Sequence, residues 1–404
     1  MTDPNKTIDY DIHGLVGIRL INPTEGDAAA VDRQLGPTRK PLSRKPDILI
    51  RFEKQVDLPD FRYLGLHAGF NDSGYYILRS RKAEAKVRIP FEEIGSKCCE
   101  IVCESGLRAV PMLIAILNFT LLKKNCVPLH ASAFAYNGTG VLVTGWSKGG
   151  KTEAMLSFTH NGAEYVGDEW VILTGDGQKM YGLPEPVTVW DWHMEYLPHI
   201  RKKVSRNKSR IFQGVWLLNK MQSIAQKSFL KDSFVGKSLK EALPAFQRQM
   251  HVNLPPEKLF GGQTCRLSVK LDKVFFIMSH KSPEITVENG DPADIIERMI
   301  SSIEYEQLPI KEHYLAYKFA FPDRKNSFLE QGPKIQYELL RSALTGKEAY
   351  RVRHPYPVSF PELFKKMSPY CEKLSEERGQ KKKTKSHQPE LIDIPGIECL
   401  NENS

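Results

Sequence analysis

The chain has 404 residues, 41% of them apolar and 26% charged, with a formal net charge of +9. This is the make-up of a soluble globular protein long enough for two domains and tails. It excludes a membrane span, because the most apolar stretch, residues 110–122, falls short of about 18 residues and contains Pro111 and Asn118. Residues 1–6 lack the charged-then-apolar order of a signal peptide. Seven cysteines, with only Cys98, Cys99 and Cys103 close together, supply neither paired zinc arms nor an even disulfide set. A cytoplasmic protein with reduced thiols and no membrane partner is expected.

Residues 1–105 read as a strand-rich domain. Residues 15–21, 47–52 and 75–78 are β-branched or aromatic runs divided by Gly, Pro and Asp, and residues 86–90 alternate in the same way. A largely apolar helix is expected over residues 111–124, with proline in its first turn. It leads into the short apolar segment 127–130. Residues 106–370 form the second domain, which opens on a β-loop-α-β passage. A strand over residues 140–144 is followed by a Gly-rich loop, a helix over 153–160, a stop at Asn161-Gly162, and a strand over 163–166. Residues 170–174 and 179–181 predict a hairpin around Gly175-Asp176-Gly177-Gln178. Residues 273–278 predict a buried strand, and 292–345 read as helical, most clearly over 295–300. Residues 371–404 turn polar and basic and are expected to be disordered. The fold class is α/β (α+β).

Between the strand and the helix lies Gly145-Trp146-Ser147-Lys148-Gly149-Gly150-Lys151-Thr152, a complete G-x-x-x-x-G-K-[ST] pattern. A turn of this kind points backbone N–H groups at phosphate oxygens, and the following helix adds its positive end. Lys151 would reach the β- and γ-phosphates of ATP, and the Thr152 hydroxyl would ligate Mg²⁺. Asp168-Glu169 ends the next apolar strand. Beside such a loop, one carboxylate would hold the metal and its neighbour would accept a proton. His130, before the loop strand, reads by itself as a packed or surface residue.

Leu129-His130-Ala131-Ser132-Ala133-Phe134, Gly138 to Thr144, the loop, Lys151-Thr152-Glu153, Gly162 and Val166-Gly167-Asp168-Glu169 together resemble the catalytic core of HPr kinase/phosphorylase. The intervals match without a gap from His130 to Glu169. That group shares its fold with ATP-dependent phosphoenolpyruvate carboxykinase. The resemblance therefore implies a carboxykinase-like P-loop nucleotide-binding domain, here preceded by the smaller strand-rich domain. It implies that Lys151 holds the transferred phosphate, that Thr152 and Asp168 share Mg²⁺, and that Glu169 stands where the family keeps its base. His130 would sit near the γ-phosphate, and Glu153 matches the family's acid just after the loop.

Some positions depart from the pattern. Trp146 stands where the family has Asp, Lys148 replaces a loop glycine, and Glu169 replaces a second Asp. Past residue 190, neither the family's second metal-binding glutamate nor its catalytic arginine finds a match. Arg210-Ile211-Phe212-Gln213-Gly214 lacks the acid, and residues 252–258, with Lys258, read as a surface loop. The N-terminal domain does not resemble the family's regulatory domain, so HPr itself is not implied as acceptor.

The positive charge is concentrated in two places. Lys381, Lys382, Lys383 and Lys385 lie in the tail and read as solvated spacer. Arg201, Lys202, Lys203, Arg206, Lys208 and Arg210 lie inside the second domain, where an acidic or phosphorylated partner would suit them. No aromatic-interleaved β-platform or nucleic-acid motif accompanies either cluster, so nucleic acid is not the expected partner. The expected activity is a kinase with cofactors ATP and Mg²⁺, acting on a serine or other hydroxyl of an unknown protein, peptide or small-molecule acceptor. A homo-oligomer is left open. The alternative is a nucleotide-binding regulator or ATPase without kinase activity, which Trp146 and the unmatched second metal ligand favour.

Overall fold

The computed structural model describes residues 6–372, apart from 80–83, 96–97, 203, 206–207, 211, 218–249 and 262–265. Residues 373–404 of the expected disordered tail with its lysines, and Lys203 and Arg206 of the internal cluster, therefore lie outside the described residues, while Cys371 at the start of that tail is buried.

An eight-stranded sheet is built from β1 (Thr7–Ile12), β2 (Val16–Ile21), β3 (Ile48–Glu53), β4 (Arg62–Leu64), β5 (Ala68–Asn71), β6 (Gly74–Arg79), β7 (Glu84–Arg88) and β8 (Cys99–Glu104). Its order is β1-β2-β3-β8-β7-β6-β5-β4. The β2–β3 and β3–β8 pairings are parallel and the others antiparallel. In β3 the alternate residues Ile48, Ile50 and Phe52 are buried, the period-2 pattern of a strand with one face on a core. The crossover from β2 to β3 holds a helix absent from the sequence reading, α1 (Glu25–Leu35). Its start is a capping box. The Asp27 N–H donates to the Thr24 hydroxyl, and the Thr24 N–H donates to the Asp27 carboxylate.

The apolar helix expected after this sheet is α2 (Leu113–Lys123). It leads into β9 (Cys126–Tyr136), a strand far longer than the segment 127–130 expected there. β10 (Thr139–Thr144) returns antiparallel to β9 and delivers the loop to α3 (Lys151–Ser157). The chain continues through β11 (Glu164–Gly167), β12 (Trp170–Thr174), β13 (Met180–Gly182) and β14 (Val187–Trp190), then the short α4 (Pro198–Arg201). Beyond it come β15 (His251–Leu254) and α5 (Pro256–Phe260), so the stretch expected as a surface loop around Lys258 is a strand followed by a helix. After β16 (Ser268–Val269), β17 (Lys273–Ser279) and β18 (Thr286–Asn289), the region expected to be helical is three helices: α6 (Pro292–Glu306), α7 (Leu308–Ala320) and α8 (Ser327–Leu344). β19 (Glu348–His354) and α9 (Phe360–Met367) complete the described chain.

The second sheet runs β16-β13-β12-β9-β10-β17-β19-β18, with β11 also paired to β9. β10, β17 and β19 are mutually parallel, so the strand feeding the loop is central and flanked on both sides. This mixed sheet separates two apolar layers. Leu142 of β10 and Val274 and Phe276 of β17 face one core. Val141, Val143, Phe275 and Ile277 face the other, together with Phe158, Val352 and Leu363. The first core also takes in Tyr10, Ile18, Ile50 and Ile101 of the eight-stranded sheet, with Leu107 and Val110 buried in it just past residue 105. Met1–Cys371 form one compact unit. Among the described residues, no helix is long and apolar enough to cross a membrane.

Candidate functional site

The loop sits where a central strand gives way to a helix, and its backbone has left-handed positions at both Lys148 (φ 61°) and Gly150 (φ 106°). At Gly150 a Cβ would collide with the His354 ring, which restricts the position to glycine. His354, fully buried at the end of β19, places Nε2 2.9 Å from the Gly149 carbonyl and Nδ1 2.7 Å from that of Pro355. Lys148, a non-glycine residue, holds its left-handed φ in the loop. The helix starts at Lys151, two residues earlier than expected, because Gly150 itself makes the turn into it. The Lys151 ammonium lies over the loop, 3.0 Å from the Trp146 carbonyl and 3.4 Å from that of Gly145. Burial pulls its pKa down, against the charges of Glu169 and Asp168.

β9 pairs with β11 through Ala133–Ala135 and with β12 through Cys126–His130, and Asp168-Glu169 fills the jog between the two partners. The register shifts just before the pair, between Tyr165 and Gly167, Glu169 takes a left-handed φ of 65°, and the Ala131 N–H donates to its carbonyl at 3.3 Å. The break between the two ladders, with the left-handed turn at Glu169, aims the two side chains out of a regular strand. Asp168 turns inward. It is buried, accepts from the Ser132 hydroxyl at 2.5 Å, and has the Thr152 hydroxyl 3.2 and 3.1 Å from its two oxygens. Burial and the neighbouring Glu169 charge push it up to about 7.

Glu169 turns the other way, its side chain exposed at the cleft, 3.2 Å from His130 Nε2. The other ring nitrogen of His130 lies 2.8 Å from Glu306 at the C-terminus of α6. Burial opposes the imidazolium, but the two carboxylates together outweigh it and raise the His130 pKa. The hydrogen bond from His130 lowers that of Glu169 and likewise that of Glu306. His130 is thus held between two acids.

Sequence reasoning missed several neighbours. Glu306 lies far along the chain from His130 and carries no motif. Ser132 fell inside the matched stretch without a role. Glu185 is pushed up to about 8 by burial, with the charges of Glu169 and Asp168 adding to the effect. Glu153, also without a firm role, is buried against His193. The Trp190 N–H donates to His193 Nδ1 at 3.3 Å, which leaves Nε2–H to donate to Glu153 at 3.2 Å. Burial opposes ionisation of Glu153, and His193 reverses this and lowers its pKa.

A cleft of about 750 Å³ joins these parts, lined by His130, Ser147, Lys148, Gly150, Lys151, Thr152, Asp168 and Glu169. Its far wall is aromatic, with Trp190, Trp192 and Tyr356. Gly145 and Gly149 support the loop from behind, and the Gly149 N–H closes a turn on the Trp146 carbonyl at 3.0 Å. The Trp146 ring turns away from the cleft and packs on Tyr305, centroids 4.9 Å apart. Thr152 and Asp168 are hard oxygen donors of the kind Mg²⁺ takes. Asp168 has no ion-pair partner among the described residues, and a divalent cation there would return it to the carboxylate form. Among the described residues, no group of three or more His, Cys, Asp and Glu side chains is arranged around one metal position. No protein-family model matches the chain, and no curated protein matches it in sequence.

Proposed function

We propose that the chain is an ATP-dependent phosphotransferase of the HPr-kinase-like, carboxykinase-fold type, moving the γ-phosphate of ATP to a hydroxyl. The observation that carries the reading is the convergence of Lys151, the Thr152–Asp168 pair and the His130–Glu169 pair on one cleft. The loop N–H groups and Lys151 bind and orient the phosphates. Thr152 and Asp168 would hold Mg²⁺, and the metal would supply positive charge to offset that of the transferred group.

Glu169 is the base, kept ionised by His130. In transfer, the acceptor hydroxyl gives its proton to the Glu169 carboxylate and its oxygen bonds to the γ-phosphorus. The bond from that phosphorus to the β–γ bridging oxygen breaks, and ADP leaves with the electron pair. His130 holds Glu169 toward the cleft, and Glu306 holds His130.

A second reading, a nucleotide-binding regulator or ATPase, draws on one observation: among the described residues, no third His, Cys, Asp or Glu completes a metal group with Asp168. The two readings separate in one assay. The kinase labels an acceptor from γ-phosphate-labelled ATP and loses this with Lys151→Ala. A regulator binds ATP, releases only free phosphate and labels nothing.

A further inference from the structure

The internal basic cluster is not used by the chemistry above, yet it adjoins the cleft. Asp191 lines both the cleft and a second cavity of about 300 Å³, whose walls include Met194, Val204, Phe212 and Trp216. Arg201 stands at that cavity's edge. Arg201, Lys202 and Arg210 are exposed, none of the three is in an ion pair within 4 Å among the described residues, and the charge of Arg201 is felt by Asp191. Trp216 and Leu217 are themselves 59% and 54% exposed, which puts large apolar side chains beside the cations. A positive rim beside a small pocket whose wall mixes Met194, Val204, Phe212 and Trp216 with Ser209, Gln213 and Asp191 suits an anionic partner that also carries an apolar side chain.

The cleft next door carries both signs, with Lys148 and Lys151 as well as Asp168, Glu169 and Glu153 on its walls, and Glu169 is the carboxylate exposed in it. A continuous polyanion such as nucleic acid, passing from the rim into the cleft, would bring its phosphates against the Asp191 and Glu169 carboxylates. An acidic polypeptide with an uncharged hydroxyl residue at its end would not. A small acid would occupy only one of the two cavities.

We propose that the phosphoacceptor is an acidic polypeptide segment. Its carboxylates meet Arg201, Lys202 and Arg210, one apolar side chain enters the pocket between Phe212 and Trp216, and its serine or threonine reaches past Asp191 to Glu169. The inference rests on the kinase reading for the last of these contacts only.

The test uses the full chain without nucleotide, so that docking is read apart from transfer. Binding of a short fluorescent peptide of glutamates and serines around one tryptophan is compared with that of its lysine counterpart and of a single-stranded oligonucleotide. The expected result is preference for the acidic peptide, weakening with salt. Combining Arg201→Glu, Lys202→Glu and Arg210→Glu lowers its affinity roughly tenfold or more, and the lysine peptide gains on the same variant, which shows that the variant is folded. Equal binding of the two peptides to the unmodified chain overturns the proposal. So does an oligonucleotide that displaces the acidic peptide, which would assign the rim to nucleic acid. If the acidic peptide binds as expected but is never labelled from ATP, the docking inference stands and the kinase reading fails.

Discussion

At the scale of single residues, the site turns on how the left-handed turn at Glu169 divides two adjacent acids. Asp168 goes into the protein against two hydroxyls, and Glu169 goes into the cleft against His130. Different surroundings give adjacent carboxyls different protonation, and hence different roles. Glu169→Gln keeps the size and loses the base, so transfer should fall by roughly 10²–10⁴ with ATP affinity retained. Full activity in that variant would remove Glu169 from the mechanism. Glu306→Gln acts only through His130. It should lower kcat by roughly tenfold and leave KM for ATP in place, and an unchanged kcat would show that Glu306 positions nothing.

The same trio has a pH signature in the nucleotide-free protein. His130 titrates above its ordinary 6.5 when folded, so its contribution to stability is fully present below 6.5 and is lost as pH rises through the raised value. Glu306 titrates below its ordinary 4.5, so its share is present above 4.5 and is lost as pH falls through the lowered value. Denaturant titrations of the unmodified chain and His130→Gln should therefore differ most between about pH 4.5 and 6.5 and converge at higher pH. A difference that grows with pH would contradict the paired arrangement.

At the scale of elements, what was legible in the sequence was local. The strand-loop-helix-strand passage around Lys151 and the hairpin after Glu169 are set by neighbouring residues, and both are present. The length of β9 was harder to read, because Pro128, His130 and Ser132 break an apolar run that only the flanking strands make into a ladder. β19 was not read, although Arg351 and Arg353 alternate with the buried Tyr350, Val352 and His354 in the period-2 pattern of a strand. His354 and Glu306 reach the site from the ends of β19 and α6, distant in sequence, and no spacing rule could have paired them with Gly150 or His130.

Asn326 shows how one residue joins distant elements. It caps α8 by accepting from the Leu329 N–H, and its amide donates to the carbonyls of Phe91 and Ile94 at 2.7 and 2.8 Å. Asn326→Ala removes the cap and strands two carbonyls, which should cost about 2–4 kcal/mol. Chemical denaturation measures this directly. Asn326→Asp keeps the cap but not the donors, and its loss should be of similar size if the two carbonyls dominate.

At the scale of the whole molecule, the mixed sheet fixes the loop from both faces. The eight-stranded sheet shares the core on one side, and α3 with α9 packs the other. A loop held in this way is rigid, so nucleotide binding as proposed should stabilise the entire compact unit. Saturation with ATP and Mg²⁺ at about a hundred times Kd should add about 2.7 kcal/mol, seen as a raised Tm. Lys151→Ala should show no such rise. Equal stabilisation of both proteins would mean that the nucleotide binds elsewhere.

The claim that this cleft moves phosphate to a hydroxyl is tested most directly by supplying γ-phosphate-labelled ATP and Mg²⁺ to the full chain in a native extract. The expected result is a labelled acceptor whose phosphate is stable to hot acid, as a serine or threonine ester is, absent with Lys151→Ala and strongly reduced with Glu169→Gln. Tight ATP binding with no labelled species, or labelling that survives Lys151→Ala, would contradict it.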